Sequence, residues 1–212
     1  MKTEALISRL ATDIAIRPAQ PGRALGLASL AAILLAGAAM LLTIGLRPDF
    51  ASALGHWRFD MKFIVTLSLA AGASRLLGRA IRPGELESAS YWPVAVGPVL
   101  LLAALVVELA LLPPSTWAAT LVGRNWLHCL ALVPAFGIGP LAIGIWGLRH
   151  GAPTRPALTG FLAGLFAGAV AASFYAANCT DDSPLFVATW YTLGILALGL
   201  AGALAGRACL RW

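Results

Sequence analysis

Residues 24–46, ALGLASLAAILLAGAAMLLTIGL, form a run of 23 positions without a charged side chain. An α-helix needs about 20 apolar residues to cross the hydrocarbon core of a bilayer, so the run predicts a membrane-spanning helix. The run follows a polar leader of 23 residues and is too long for the apolar part of a secretory signal peptide. We therefore expect this helix to be retained rather than cleaved.

Five further apolar runs follow the first one. They lie at about residues 61–77, 92–112, 126–148, 157–177 and 185–206. The composition agrees, because 59% of the residues are hydrophobic and 11% are charged, against about 25% charged in soluble domains. The alternating polarity of β-barrel strands is absent. The sequence therefore predicts an all-α integral membrane bundle of six transmembrane helices, preceded by a short amphipathic cytoplasmic helix.

The distribution of Lys and Arg predicts the orientation of the bundle. If the N-terminus is inside, the inside segments hold eleven of the fifteen basic residues. The four on the outside are Arg47, Arg58, Lys62 and Arg124. Because positive charge marks the cytoplasmic side, we expect a bacterial inner-membrane protein with both termini in the cytoplasm. The net charge of +6 then reports topology, and no basic stripe indicates direct binding of nucleic acid.

The segments between the apolar runs are too short for a soluble domain. We divide the chain into a cytoplasmic leader at 1–23, a six-helix transmembrane domain at 24–207 and a cytoplasmic tail at 208–212. No nucleophile–base pair and no phosphate-binding loop is recognisable, so we predict no catalytic residues and no enzyme activity.

The leader, which begins MKTEALISRLATDIAIRP, predicts an amphipathic helix. Thr3 can cap the start of this helix, and Pro18 ends it. Its apolar face consists of Leu6, Ile7, Leu10 and Ile14. The remaining surface is mixed in charge and includes Glu4 and Asp13, which argues against binding to lipid alone. Two interpretations stay open: a helix that rests on the membrane, and a docking helix for a cytosolic protein.

Glycines recur at every fourth position in the last two runs. Gly160, Gly164 and Gly168 form one series, and Gly202 and Gly206 form another. This spacing lets two helices approach closely, so we interpret both series as packing seams. A homodimer formed through one of the seams is a further interpretation.

The fourth apolar run contains Pro134 and Pro140, which should kink or break its helix. Transporters bind substrates at such breaks, but the side chains around these two prolines are all apolar. We find no inverted repeat and no charged pair deep in the bundle. A transporter of ions or small molecules is therefore a weaker interpretation, as is a membrane scaffold subunit.

Reactive side chains gather at the predicted outer face. Cys129 lies near the start of helix four and Cys179 follows helix five, so the helix directions put both at one level. Ionisable groups at the same level are His56, Glu108, His128, Asp181 and Asp182. Two thiols could form a disulfide in an oxidising compartment, or bind a metal together with imidazole or carboxylate ligands. We predict no obligatory cofactor, and inert buried cysteines are the alternative interpretation.

Two stretches, GAPTRPAL at 151–158 and CTDDSPLFVATWY at 179–191, resemble the NrsF-like family, as do the leader and the six-helix layout. The resemblance implies a bacterial inner-membrane anti-sigma factor that binds an extracytoplasmic-function sigma factor and releases it on metal or oxidative stress. It implies that Cys129 and Cys179 sense the stress, with at most a transient metal ion bound there. Family members commonly have a histidine before the second cysteine, where this chain has Asn178.

The resemblance also gives the leader a partner. We expect the leader to bind the sigma factor through one set of side chains, namely Glu4, Leu6, Ile7, Leu10 and Asp13. A chemical change at the two cysteines would then shift helices four and five.

Overall fold

A computed structural model describes residues 3–5, 7–8 and 21–210 of the chain. Six long helices dominate it, and each is long and apolar enough to cross a membrane. They are α1 (Pro21–Thr43), α2 (Trp57–Ala80), α3 (Trp92–Leu111), α4 (Trp126–Leu148), α5 (Pro156–Ala176) and α6 (Pro184–Cys209). No strand occurs in the part of the chain described. The predicted six-helix, all-α architecture is therefore confirmed, with most boundaries within four residues of the expected ones.

Helix α5 forms the centre of the bundle. From Thr159 to Ala176 its residues are buried except for Phe161 and Phe174, which are half-buried. It packs against α1, α2, α4 and α6, whereas α3 packs mainly against α2 and lies at the edge. Helices in lipid gain little from hydrophobic burial against each other, so close packing of small residues must hold such a centre together.

Both glycine series lie in one seam between α5 and α6. A Cβ atom added to Gly160 would overlap the carbonyl oxygen of Gly202, and one added to Gly164 would overlap that of Leu198. The prediction that these glycines form packing seams is confirmed. Because each series faces the other within a single chain, a homodimer through them would require α5 and α6 to separate, and it stays a prediction.

Helix α4 is continuous from Trp126 to Leu148, although it contains Pro134 and Pro140. A break at the prolines is therefore wrong, whereas a kink stays a prediction. Proline removes one backbone hydrogen bond and crowds the preceding turn, but neighbouring helices can compensate for this within a membrane. Here α1, α5 and α6 all pack along α4, and the Leu198 side chain of α6 fills the space that Gly137 leaves open.

Helix α6 has an irregular first half. Ser183 caps its start by accepting a hydrogen bond from the backbone N–H of Leu185, at 3.2 Å. A π-helical turn follows at Val187–Tyr191, before regular α-helix resumes at Thr192. Such turns often occur at functional sites, and this one ends at Tyr191, which is fully buried.

The leader is described in part. Thr3, Glu4, Ala5, Ile7 and Ser8 are helical and exposed, with 61% of Ile7 accessible to solvent. The other proposed sigma-binding residues, which are Leu6, Leu10 and Asp13, lie outside the described residues.

Candidate functional site

The buried charged residues in the described part of the chain, which are Arg47, Lys62 and Glu108, lie at one end of the bundle, where the links after α1, α3 and α5 meet. The link after α5, residues 177–183, is called here the Cys179 segment. Helix α5 ends at Ala176, and the Asn178 side chain then donates hydrogen bonds to the carbonyls of Ile44 and Gly45 at 3.3 and 3.1 Å. These bonds tie the start of the segment to the end of α1.

Both predicted sensing cysteines are closed off from solvent. Cys129 is 0% exposed and Cys179 1% exposed, and both carry free thiols in the same apolar core cluster. The Cys179 thiol points back onto its own segment and donates to the carbonyl oxygen of Asp181, with an S···O distance of 3.8 Å. Both cysteines lie at the same end of the bundle, as the helix directions predicted. The third, Cys209, is exposed at the opposite end of α6.

The environment of Cys179 disfavours its thiolate. Burial raises the pKa of this thiol, and the nearby positive charge of Lys62 opposes that effect only in part. Thiols react as nucleophiles and metal ligands in the thiolate form. In this conformation Cys179 is therefore an unreactive, protonated thiol at neutral pH.

Lys62 lies in the second turn of α2 and is 0% exposed. Its ammonium group donates to the carbonyl oxygen of Cys179 at 2.9 Å and pairs with the carboxylate of Asp182 at 2.5 Å. This pair lies at the end of the bundle, and the sequence analysis did not anticipate it. The reason is that Lys62, counted as an outer cation at the edge of an apolar run, turns inward toward a carboxylate.

Arg47 reaches the same two groups from the link after α1. It donates to the carbonyl of Cys179 at 3.3 Å and to the carboxylate of Asp182 at 3.0 Å. Its other nitrogens bind Asp49 at 2.6 and 2.7 Å. This hydrogen bonding raises the pKa of Arg47 and lowers that of Asp49 to about 2, so the Arg47–Asp49 pair stays ionised until the pH falls toward about 2.

The other carboxylates of this end are also bound by protein groups. Asp181 accepts hydrogen bonds from the backbone N–H groups of Arg124 and Asn125 at 3.0 and 2.8 Å, and from the Asn125 side chain at 2.9 Å. It thus occupies the positive N-terminal end of α4. Glu108, which is fully buried, accepts from Ser183 at 2.9 Å and pairs with Arg58 at 3.0 Å.

The comparisons with known proteins assign the chain to a family. A family model described as "Negative regulator of sigma F" matches residues 10–212. The chain belongs to the NrsF family. It is 38% identical to the anti-sigma-F factor NrsF of Caulobacter vibrioides, an alignment that covers all of both chains. It is 35% identical, again over the full length of both, to the probable anti-sigma-F factor NrsF of Azospira oryzae. No solved structure matches it.

The resemblance inferred from the sequence is therefore confirmed, and so is the expectation that the chain is no enzyme, because NrsF proteins are regulators of a sigma factor. Six apolar helices suggest a membrane protein.

The additional metal ligands that we predicted are not assembled into a site in this NrsF-family chain. His56 and His128 are exposed, while Glu108, Asp181 and Asp182 are engaged by protein donors. Among the described residues, no group of three or more His, Cys, Asp and Glu side chains is arranged to hold a metal ion. Metal binding at the cysteines themselves stays a prediction.

The groups that the sequence analysis missed are the cations of this NrsF site. A signal for them was present, since an ionisable residue within a membrane span is normally paired with an opposite charge. Lys62 stands inside the apolar run at 61–77, and three carboxylates were already expected at its level. Asp182 lies more than one hundred positions after both Lys62 and Arg47 in the chain, so the spacing of residues could not identify these pairs.

Proposed function

We propose that this chain is an inner-membrane anti-sigma factor that sequesters an extracytoplasmic-function sigma factor. In this proposal it releases the sigma factor when periplasmic metal or oxidative stress acts on Cys129 and Cys179. Membership of a family of negative regulators of sigma F supports the first part. The observation that carries the second part is that both cysteines are free, fully buried thiols, one of them within the Cys179 segment itself.

Packing explains how a change at one thiol would be transmitted. A disulfide, a metal ion or an oxidised sulfur has a size and shape different from those of two thiols, and densely packed interiors cannot absorb such changes locally. The Cys179 segment bonds to the end of α1, to the start of α2 and to the start of α4. Its displacement would therefore disturb the central helix α5 and three of its neighbours, whose other ends face the leader side.

The leader is the proposed docking element for the sigma factor. Glu4 and Ile7 are exposed on a helical segment, so both are available to a partner. Burying the three apolar side chains of Leu6, Ile7 and Leu10 would supply about 1.5–3 kcal/mol each before the costs of ordering are subtracted. The bundle would then anchor the captured protein at the membrane.

The sensing role is tested by replacing both buried cysteines. A chain with Cys129→Ser and Cys179→Ser should still repress sigma-dependent transcription but lose its response to oxidant and to thiol-binding metals. Cys209→Ser is the matched control, because it removes a thiol at the opposite end, and it should respond normally. A double variant that responds like the unmodified chain would show that the two thiols are ordinary core residues.

The docking role is tested separately with Leu6→Asp combined with Leu10→Asp. Charges on the apolar face should abolish co-purification of the sigma factor and leave transcription constitutively active. Thr12→Asp adds one negative charge to the opposite face of the predicted helix, and it should capture the sigma factor as well as the unmodified chain. Undiminished capture by the double variant would refute docking through this face.

A further inference from the structure

We propose that Lys62, Arg47 and Asp182 form an ionic latch that holds the Cys179 segment closed over the buried thiols. The regulatory role of the latch rests on the proposed function, to which it adds the residues that position the thiol site. That these contacts keep Cys179 from solvent is a separate claim, which does not depend on the proposed function.

The latch contacts converge on a single segment from two separate parts of the chain. Lys62 comes from α2 and Arg47 from the link after α1, yet both bind the Cys179 carbonyl and the Asp182 carboxylate. The two cations therefore hold both Cys179 and Asp182 in place. Between these residues the chain makes a turn, in which the Cys179 thiol bonds to the Asp181 carbonyl. The segment cannot move outward without breaking these charged contacts.

Stability alone does not explain the arrangement. Desolvation of a buried ion pair often costs as much as the pair gains, and apolar side chains of similar size are frequently as stable. Lys62 is nevertheless fully buried, and its ammonium group also lies 5.1 Å from the ring centre of Phe59. A charged contact is electrostatically stronger in the low-dielectric interior of a protein than in water. It therefore holds the segment firmly while the site is closed and weakens once water enters.

Two members of the latch, Arg47 and Asp182, line a cavity at this end of the bundle, whereas the two thiols do not. A polar cavity of about 440 Å³ is lined by Arg47, Asp49, His56, Arg58 and Asp182, among others. The side chain of Asp182 is 24% exposed, but Cys179 is 1% exposed. A reagent entering from this end therefore meets the latch before it can reach the thiol, and opening of the latch must precede modification of Cys179.

The experiment measures how fast a hydrophilic maleimide alkylates Cys179 in the full chain reconstituted in lipid nanodiscs. Cys129→Ser and Cys209→Ser leave Cys179 as the sole thiol. Adding Asp182→Asn should raise the rate about ten-fold or more, as expected for loss of a charged hydrogen bond that holds the closed state. Asp60→Asn is the matched control, because this carboxylate at the same end of the bundle accepts a hydrogen bond from the backbone N–H of Gly55 and not from the latch residues, and its rate should stay within about two-fold.

Two further variants keep the test decisive if Asp182→Asn folds poorly. Asp182→Glu keeps the charge and should restore slow alkylation. Lys62→Met combined with Asp182→Asn removes both charges without leaving a buried cation unpaired, and it should be alkylated rapidly while remaining folded. Slow alkylation of this double variant, or equally fast alkylation of Asp60→Asn, would overturn the latch.

A sigma-dependent reporter in unstressed cells separates the latch from the proposed function. If both hold, Asp182→Asn activates the reporter without stress. Fast alkylation with a silent reporter supports the latch and counts against sensing at Cys179. Unchanged alkylation, in a protein whose cysteine double variant still loses its stress response, overturns the latch and leaves the sensing proposal standing.

Discussion

Lys62 shows how the tertiary fold can change the environment that the sequence predicts for a residue. Its position in an apolar run made it look like a cation at the membrane surface, yet it is fully buried against Asp182 and the Cys179 carbonyl. The sequence places such a residue on a helix but does not determine which distant loop folds over it. The two cysteines were predictable because helix direction alone sets their level, whereas the contacts around them depend on tertiary packing.

The raised pKa of Cys179 gives a prediction at the same scale. Because the closed protein binds the thiol proton more tightly than an unfolded chain does, the alkylation rate of Cys179 should keep rising with pH beyond about 8.5, the ordinary cysteine value. By the same linkage, this group's contribution to stability is complete below about 8.5 and declines as the pH rises through the folded-state pKa. The measurement is the rate against pH in the single-cysteine variant, with the same protein unfolded in denaturant as control. Identical midpoints would contradict the prediction.

At the scale of elements, the helices follow from the sequence more directly than their irregularities do. Runs of apolar residues of membrane-spanning length predicted all six helices, because the bilayer sets one length for every span. The π-helical turn at Val187–Tyr191 and the continuity of α4 through two prolines were not predictable in this way. Both features depend on how neighbouring helices compensate for local backbone strain. The sequence of a single helix does not contain this information.

The α5–α6 seam gives a prediction for these elements. Gly160→Ala should lower the thermal midpoint of the detergent-solubilised protein, since its Cβ would meet backbone atoms of Gly202 and Gly206, which cannot easily shift. Overpacking of this kind costs about 1–3 kcal/mol. Gly78→Ala is the matched control: its Cβ meets nothing within 4 Å, and alanine favours a helix by up to about 1 kcal/mol. Equal midpoints for the two variants would mean that the seam is not closely packed.

At the scale of the whole molecule, the orientation in the membrane stays a prediction from the counts of basic residues. Of the four basic residues assigned to the outer side, Arg47, Arg58 and Lys62 are each paired with a carboxylate. On the side assigned to the cytoplasm, Arg82 and Arg155 are paired as well. The ion pairs therefore do not distinguish the two sides, and the prediction rests on eleven basic residues against four.

Fusions at three positions test this orientation. A fluorescent protein that folds only in the cytoplasm should be bright at either terminus, and alkaline phosphatase, which needs the oxidising periplasm, should be inactive there. The same phosphatase inserted after Gly55, in the link before α2, should be active, because the two ends of α1 must lie on opposite sides. Expression of each fusion is checked by immunoblotting, so that inactivity is not confused with absence. Active phosphatase at the termini would put the Cys179 segment in the cytoplasm, where reducing conditions disfavour disulfides, and periplasmic sensing would have to be abandoned.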